Sequence, residues 1–211
     1  MPTLVIDTCL AACQVALFDG ARLLFGLSEP MERGHQERLA PMAAEVMAGA
    51  RVSFADVAKI AVTVGPGSFT GLRVGLAFAK GLQLATGAPL AGIGSLAALA
   101  ASAGPDGLTA GVIDARRGMV YLQAFEDGRP LSEPDQLPAA ETAARLEIIA
   151  PGMWRVAGPG AGLLAFADNT DTVELAAAEL LALGELAAAA RPSSDVKPLY
   201  LRAPDARPMA T

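Results

Sequence analysis

The chain has 211 residues, of which 53% are apolar and 18% charged, and its formal net charge is −6. This composition excludes a disordered chain, and the length suffices for one large domain or two small lobes with cores of their own. No basic stripe of the kind needed to grip nucleic acid unaided is visible, so any link to RNA is expected to run through a partner.

Residues 3–8, TLVIDT, read as a buried strand, and CQVALFDG (13–20) as its hairpin partner, with Asp19 and Gly20 turning the chain. A third strand is expected from Arg22 to Ser28. GHQERLAPMAAEVMAGA (34–50) places Leu39, Met42, Ala43, Val46 and Met47 at helical spacing, with Pro41 tolerated near the start and Gly49 closing the helix. SFADVAKI (53–60) is a short helix in which Ser53 and Asp56 form a capping-box-like start, and it leads into a strand at 60–64. A helix from about Thr70 to Thr86 ends at Gly87 and Pro89. PLAGIG returns as a strand, and SLAALAASA (95–103) is a helix capped by Ser95. Strands alternating with helices imply an α/β lobe.

A repeat opens the second half. VIDTCLAACQVALF (5–18) aligns without a gap with VIDARRGMVYLQAF (112–125), and VGPGSFTGL (64–72) has a shorter echo in AGPGAGLLA (157–165). Two matches in the same order point to a duplicated lobe whose second copy is trimmed. A helix is expected at 139–150, a strand at 154–158 and a long helix over TVELAAAELLALGELAAAA (172–190). The proline-rich remainder reads as an extended strap. The expected divisions are a first lobe at 1–106, a trimmed second lobe at 107–190 and the strap at 191–211.

The opening MPTLVIDT has no basic segment ahead of a long apolar run, so no signal peptide is expected. The uncharged run from Gly81 to Pro105 is interrupted by Gln83, Pro89 and several glycines, which suits buried helix, strand and helix better than a membrane span. Cys9 and Cys13 match no common zinc or redox spacing and read as core thiols. A cytoplasmic protein is expected.

The glycines of GPGSFTGLRVG invite a phosphate-loop reading. A P-loop needs G-x-x-x-x-G-K-[ST], yet position 70 is Thr70, position 72 is Leu72, and no lysine occurs before Lys80. A general anion site at the helix start stays open, with Asp7, Gly65, Gly67, Ser68 and Asp114 as candidate anion or nucleotide contacts. The alternative is packing: Gly71, Gly75 and Ala79 share one helix face, and Gly65 and Gly67 allow backbone angles that side chains forbid. His35 is the one histidine, which rules out a His-pair metal site, and no G-x-S-x-G elbow accompanies it. Asp7 and Asp114 stand at equivalent repeat positions. They fit either a Mg²⁺-orienting pair between lobes or acceptors in their own tight turns.

VIDTCLAACQVALF, GHQERLAPM, GPGSFTGLRVGLAFAKGL, IDARRGMVY and KPLYLR together resemble the bacterial TsaB (YeaZ) family, in order and across nearly the whole chain. The resemblance implies a duplicated actin-like, sugar-kinase-like fold, with two related lobes of mixed sheet plus helices. It implies a non-catalytic scaffold that supports TsaD, which transfers threonylcarbamoyl from its adenylate to adenosine 37 of tRNAs reading codons that begin with A. TsaE, an ATPase, joins the complex, and TsaC makes the adenylate. TsaD-like enzymes hold metal through two histidines four apart; here His35 is followed by Leu39, so no metal and no catalytic residue is expected. No tightly bound cofactor is expected either, with ATP or ADP only at the interface of the assembled complex. By position, the resemblance assigns the partner interface to His35, Leu39, Met42, Val46 and Met47 on one helix and to Gly71, Arg73, Gly75 and Phe78 on the next. tRNA would be reached through TsaD, and a homodimer would form through the same surface when the chain is alone. The rival reading is an independent ATPase or small-molecule kinase of the same fold using Asp7 and Asp114; a peptidase lacks a nucleophile–base pair.

Overall fold

The computed structural model describes residues 1–104, 106–164 and 170–201. β1 (Pro2–Asp7), β2 (Ala12–Asp19) and β3 (Arg22–Pro30) form consecutive antiparallel hairpins. After α1 (His35–Ala50) come β4 (Lys59–Gly65), α2 (Phe69–Thr86), β5 (Leu90–Gly94) and α3 (Ser95–Ser102). β4 lies parallel to β1, and β5 parallel to β4, so the first sheet runs β3-β2-β1-β4-β5.

The second sheet repeats that plan. β6 (Leu108–Arg116) and β7 (Met119–Glu126) form the hairpin, with β8 (Arg129–Pro130) and β9 (Asp135–Pro138) both paired to β7. α4 (Thr142–Ile149) precedes β10 (Trp154–Ala157), which is parallel to β6, and β11 (Thr170–Val173) is parallel to β10. The order β11-β10-β6-β7-β8 mirrors the first sheet strand for strand. This is the duplicated actin-like, sugar-kinase-like α/β architecture. The second copy has an eight-residue helix where the first has sixteen residues in α1, and a single 3₁₀ turn (Ala161–Leu163) after β10 where the first has α2.

β1 is buried at nearly every position because both faces of the sheet are covered, and alternate residues point opposite ways. Leu4 and Ile6 join Val15, Leu17, Ile60 and Val62 under α1 and α2. Val5 joins Ala16, Phe18, Ala61 and Ile93 on the other face, under α3 and α5 (Leu180–Ala189). α3 also packs on β6, where a side chain at Gly111 would overlap the Leu96 carbonyl, so this helix is wedged between the two sheets.

Several local expectations change. The helix expected over 172–190 is only α5; residues 170–173 are strand because β10 offers a parallel edge that outweighs the helix propensity of an Ala/Leu run. The connecting residues cross to the first sheet, where Ala11 donates its N–H to the Ala176 carbonyl and the Gln14 amide to that of Ala178. α5 therefore completes the first sheet rather than the second lobe to which residues 107–190 were expected to belong. Lys59 fastens it there, its Nζ donating to the carbonyls of Ala187 (2.6 Å), Ala188 (3.3 Å) and Ala190 (3.3 Å) at the end of α5. Lys59→Met is expected to cost about 1–2 kcal/mol in urea unfolding, the scale of hydrogen bonds from a charged donor. Faster amide exchange concentrated in α5 would accompany it.

Gly49 does not close α1. The helix continues to a left-handed Arg51 (φ 56°), and Gly49 instead admits the Phe25 ring, 2.7 Å from where its Cβ would stand. Ser95 does not cap α3, because β5 runs directly into the helix; its hydroxyl is buried and faces the Cys9 thiol. The helix expected at 53–60 is a single 3₁₀ turn, Phe54–Asp56, although the Ser53–Asp56 capping box is present.

Candidate functional site

The GPGSFTG segment joins β4 to α2 at the C-terminal edge of the sheet, the position where open α/β sheets commonly bind ligands. Here the space above it is filled by the chain's own first hairpin. Gly65 has φ 99°, a conformation that favours glycine, and its Cβ would stand 2.6 Å from Leu72. A Cβ at Gly67 would overlap the Cys9 carbonyl oxygen, and one at Gly71 would overlap that of Thr8. Hydrogen bonds lock the same contact: Ser68 donates its N–H to the Cys9 carbonyl (2.7 Å), and the Thr8 hydroxyl donates to the Gly71 carbonyl (2.7 Å). Ser68 Oγ accepts the Gly71 N–H (3.2 Å), capping α2 from within. Gly75 likewise lies against the Thr8 side chain. The glycine face of α2 is therefore an inward packing surface against the β1–β2 turn.

Asp7 and Asp114 make the same local bond. Asp7 Oδ1 accepts the Cys9 N–H (2.9 Å) and Asp114 Oδ1 accepts the Arg116 N–H (2.7 Å), each two residues on. The alignment of the copies is not perfect: Asp7 stands opposite Gln14, but Asp114 stands opposite Val120 because a bulge before Arg116 absorbs a residue. Asp7 is 2% exposed and also accepts the Thr63 hydroxyl (2.6 Å). Leu10, Leu96, Leu99 and Ile113 form an apolar cluster linking the two hairpins.

Burial pushes the Asp7 carboxyl above its ordinary value of 3.8, with the Thr63 hydroxyl and the Cys9 N–H pulling part of the way back. A value raised on folding stabilises the protein fully only below the unfolded value, and that stabilisation is lost as pH rises through the folded one. At neutral pH the buried charge is a net cost. Asp7→Asn, whose Oδ1 can accept both bonds, is therefore expected to melt no lower than wild type at pH 7. Its relative stability should decline as pH falls toward 4, which thermal melts across that range would measure. Burial and the neighbouring Asp7 carboxylate push the Cys9 thiol up to about 12, and burial pushes Cys13 up to about 11; both are free, buried core thiols.

His35 and Leu39 are buried in α1, where His35 Nε2 lies 3.2 Å from the Ala12 carbonyl. Among the described residues no group of three or more His, Cys, Asp and Glu side chains could hold a metal ion. A cleft of about 380 Å³ lies between the first turns of α1 and α2. Its charged lining is Glu32, Arg33 and Glu37, a net acidic set poorly suited to phosphate.

The candidate interface residues divide sharply. Leu39, Met42, Val46 and Met47 are the inward stripe of α1, packed on Leu4, Ile6, Val15 and Leu17, and Gly71 and Gly75 are buried too. They are core, and the stripe faces its own sheet. Arg73 is exposed and Phe78 half-buried between the helices and the core. The residues that α1 and α2 turn outward include the small or apolar Ala40, Pro41, Ala44 and Ala48, and Ala77, Gly81, Leu84 and Ala85, with Leu84 87% exposed, beside the polar Gln36, Glu37 and Glu45 of α1 and Arg73 and Lys80 of α2. The sequence carried a signal for this face in the alanines at 40, 44 and 48, spaced four apart.

Comparison with known proteins gives this architecture a lineage. Residues 29–153, more than half of the chain, match the family model described as TsaD: tRNA N6-adenosine threonylcarbamoyltransferase. The chain is 36% identical over 129 residues to the tRNA threonylcarbamoyladenosine biosynthesis protein TsaB of Escherichia coli, a match covering 60% of this chain and 55% of that protein. It is 35% identical over 179 residues to an uncharacterized protein of Mycobacterium tuberculosis, covering 84% and 80% respectively. Among solved structures, YeaZ from Pseudomonas aeruginosa superposes with a TM-score of 0.82 at 27% identity, over 94% of this chain and 99% of that one. The ROK hexokinase of Thermus thermophilus, at TM-score 0.52 and 16% identity over 90% and 98% of the two chains, shares the fold alone. The family model places the chain among the TsaD-related proteins, and the relatives named TsaB together with the near-complete match to YeaZ show that it belongs to the TsaB (YeaZ) family.

Proposed function

We propose that this chain is a non-catalytic scaffold subunit that pairs with TsaD in the threonylcarbamoylation of adenosine 37 of tRNAs reading codons that begin with A. The observation that carries this reading is the outer face of α1 and α2. Small residues at Ala40, Ala44, Ala48, Ala77 and Gly81 let a second pair of helices approach closely, and the exposed Leu84 offers it apolar contact. Family membership supports the choice of partner, since the matching relative in Escherichia coli is named for threonylcarbamoyladenosine biosynthesis.

The first lobe is the docking body, and the strap is its brace. TsaE joins the same assembly, tRNA is reached through TsaD, and the chain alone pairs with a second copy through the same face, all in the cytoplasm. No helix among the described residues is long and apolar enough to cross a membrane. Any nucleotide belongs to the interface of the assembled complex, because the GPGSFTG loop and Asp7 have their groups engaged internally. The test is co-purification and calorimetry with TsaD, alongside calorimetry of the isolated chain with Mg-ATP. Tight binding of TsaD and none of Mg-ATP is expected; the reverse result would favour an independent ATPase or kinase.

A further inference from the structure

At the start of α2, away from the glycine face, Phe69 and Arg73, one helical turn apart, meet Tyr200 from the far end of the chain at the surface. Arg73 stacks its guanidinium 3.8 Å above the centre of the Phe69 ring and donates Nε–H to the Tyr200 hydroxyl (3.2 Å). The two rings lie 5.5 Å apart, and Phe69 and Tyr200 remain 46% and 43% exposed. Tyr200 is no loose tail residue. The strap that carries it is pinned by the Ser193 N–H on the Leu90 carbonyl (2.8 Å), the Leu199 N–H on the Val64 carbonyl (2.7 Å) and the buried Val196.

We propose that Arg73, clamped by Phe69 and Tyr200, is an anchor for a carboxylate on an acidic amphipathic helix of the partner protein. The clamp fixes the plane of the guanidinium and occupies Nε, leaving the two terminal nitrogens as an open fork with no hydrogen-bond partner among the described residues. Immobilisation within the free chain lowers the entropy lost on binding. The surroundings define the occupant's chemistry. α2 carries only Arg73 and Lys80 as charged residues and no acid, in a chain whose net charge is −6. Arg73, Ala77, Lys80 and Leu84 fall on one exposed stripe, cationic at two positions and apolar at the others. An acidic helix with an apolar edge complements it in charge and in surface.

This inference rests on the reading that TsaD docks on α1 and α2, and the test separates the two. TsaD is titrated into wild type, Arg73→Gln, Arg73→Lys, Tyr200→Phe and Ala44→Asp, with the remote exposed Arg22→Gln as control. Arg73→Gln is expected to weaken binding about 10- to 100-fold while lowering the melting temperature by no more than about 4 °C, the scale of a lost exposed cation–π contact, and to flatten the loss of affinity between roughly 50 and 300 mM salt. Arg73→Lys keeps the charge without the fork and should fall between. Tyr200→Phe should lose a few-fold, and Arg22→Gln nothing. Should Arg73→Gln bind like wild type while Ala44→Asp does not, the anchor is wrong and the docking face stands. Wild type that fails to bind TsaD overturns both. If a single-stranded RNA oligonucleotide binds the isolated chain and Arg73→Gln abolishes that, the cluster is a nucleic-acid platform and the proposal falls.

Discussion

Gly71→Ala is expected to destabilise the protein by about 3 kcal/mol or more, a large fraction of the stability of an ordinary domain. The added methyl has nowhere to go, because the atom it meets is the Thr8 backbone carbonyl, held in turn by the Thr8 hydroxyl bond to the Gly71 carbonyl and by the Ser68–Cys9 bond. Relief requires α2 to lift off β1, opening the core at Leu72 and Leu76. Gly81→Ala is the internal control. It sits in the same helix with no atom within 4 Å of its Cβ, so it should gain about 0.5–1 kcal/mol from helix propensity alone. Equilibrium urea unfolding of the three proteins measures the difference. If Gly71→Ala proves as stable as wild type, the loop is not seated on the β1–β2 turn.

Val46→Asp and Ala44→Asp should separate folding from assembly, although they lie two residues apart. Val46 has no exposed surface and packs among Leu4, Val15 and Leu39, so a carboxylate there costs several kcal/mol and the protein should misfold or aggregate. Ala44 is exposed on the outer side of the same helix, and its replacement should alter stability by less than about 0.5 kcal/mol. Ala44→Asp should nevertheless abolish TsaD co-purification by placing an unpaired charge in the seam. Melting temperature and size-exclusion profiles with TsaD read both effects. A folded Val46→Asp protein would mean that α1 is rotated from the orientation described, and normal TsaD binding by Ala44→Asp would move the interface elsewhere.

The frame of the fold was legible in the residues. Continuous apolar runs ended by turn residues marked the first hairpin, period-3.6 runs marked α1 and α2, and the gapless match of 5–18 with 112–125 marked the duplication that the two sheet orders display. What stayed hidden needed three-dimensional context. An apolar stripe on a helix looks the same whether it packs on its own sheet or on a partner, so Leu39, Met42 and Val46 read as a seam although they are core. The outward alanines of α1 carry no hydrophobic periodicity strong enough to compete. Residues 174–179 continue an Ala-rich pattern that favours helix, and only the crossing back to the first sheet overrides it. Gly49 looked like a stop signal because nothing local reveals the Phe25 ring that needs the space. Phe69 and Arg73 show a local spacing of four, but Tyr200 reaches them from more than a hundred residues away, and no local pattern announces that contact.

The placement of α5 also sets the order in which the chain can become a protein. Val5, Ala16, Phe18, Ala61 and Ile93 are synthesised within the first half of the sequence, yet their cover includes Leu183 and Ala187. On the ribosome the first lobe therefore remains open on one apolar face until nearly the whole polypeptide has emerged. Closing contacts across so much intervening chain slows folding and lengthens the exposure of that face to aggregation. A fragment ending at residue 106 would inherit the same open face permanently. The two lobes are copies in sequence, but the first is completed only by residues that follow the second.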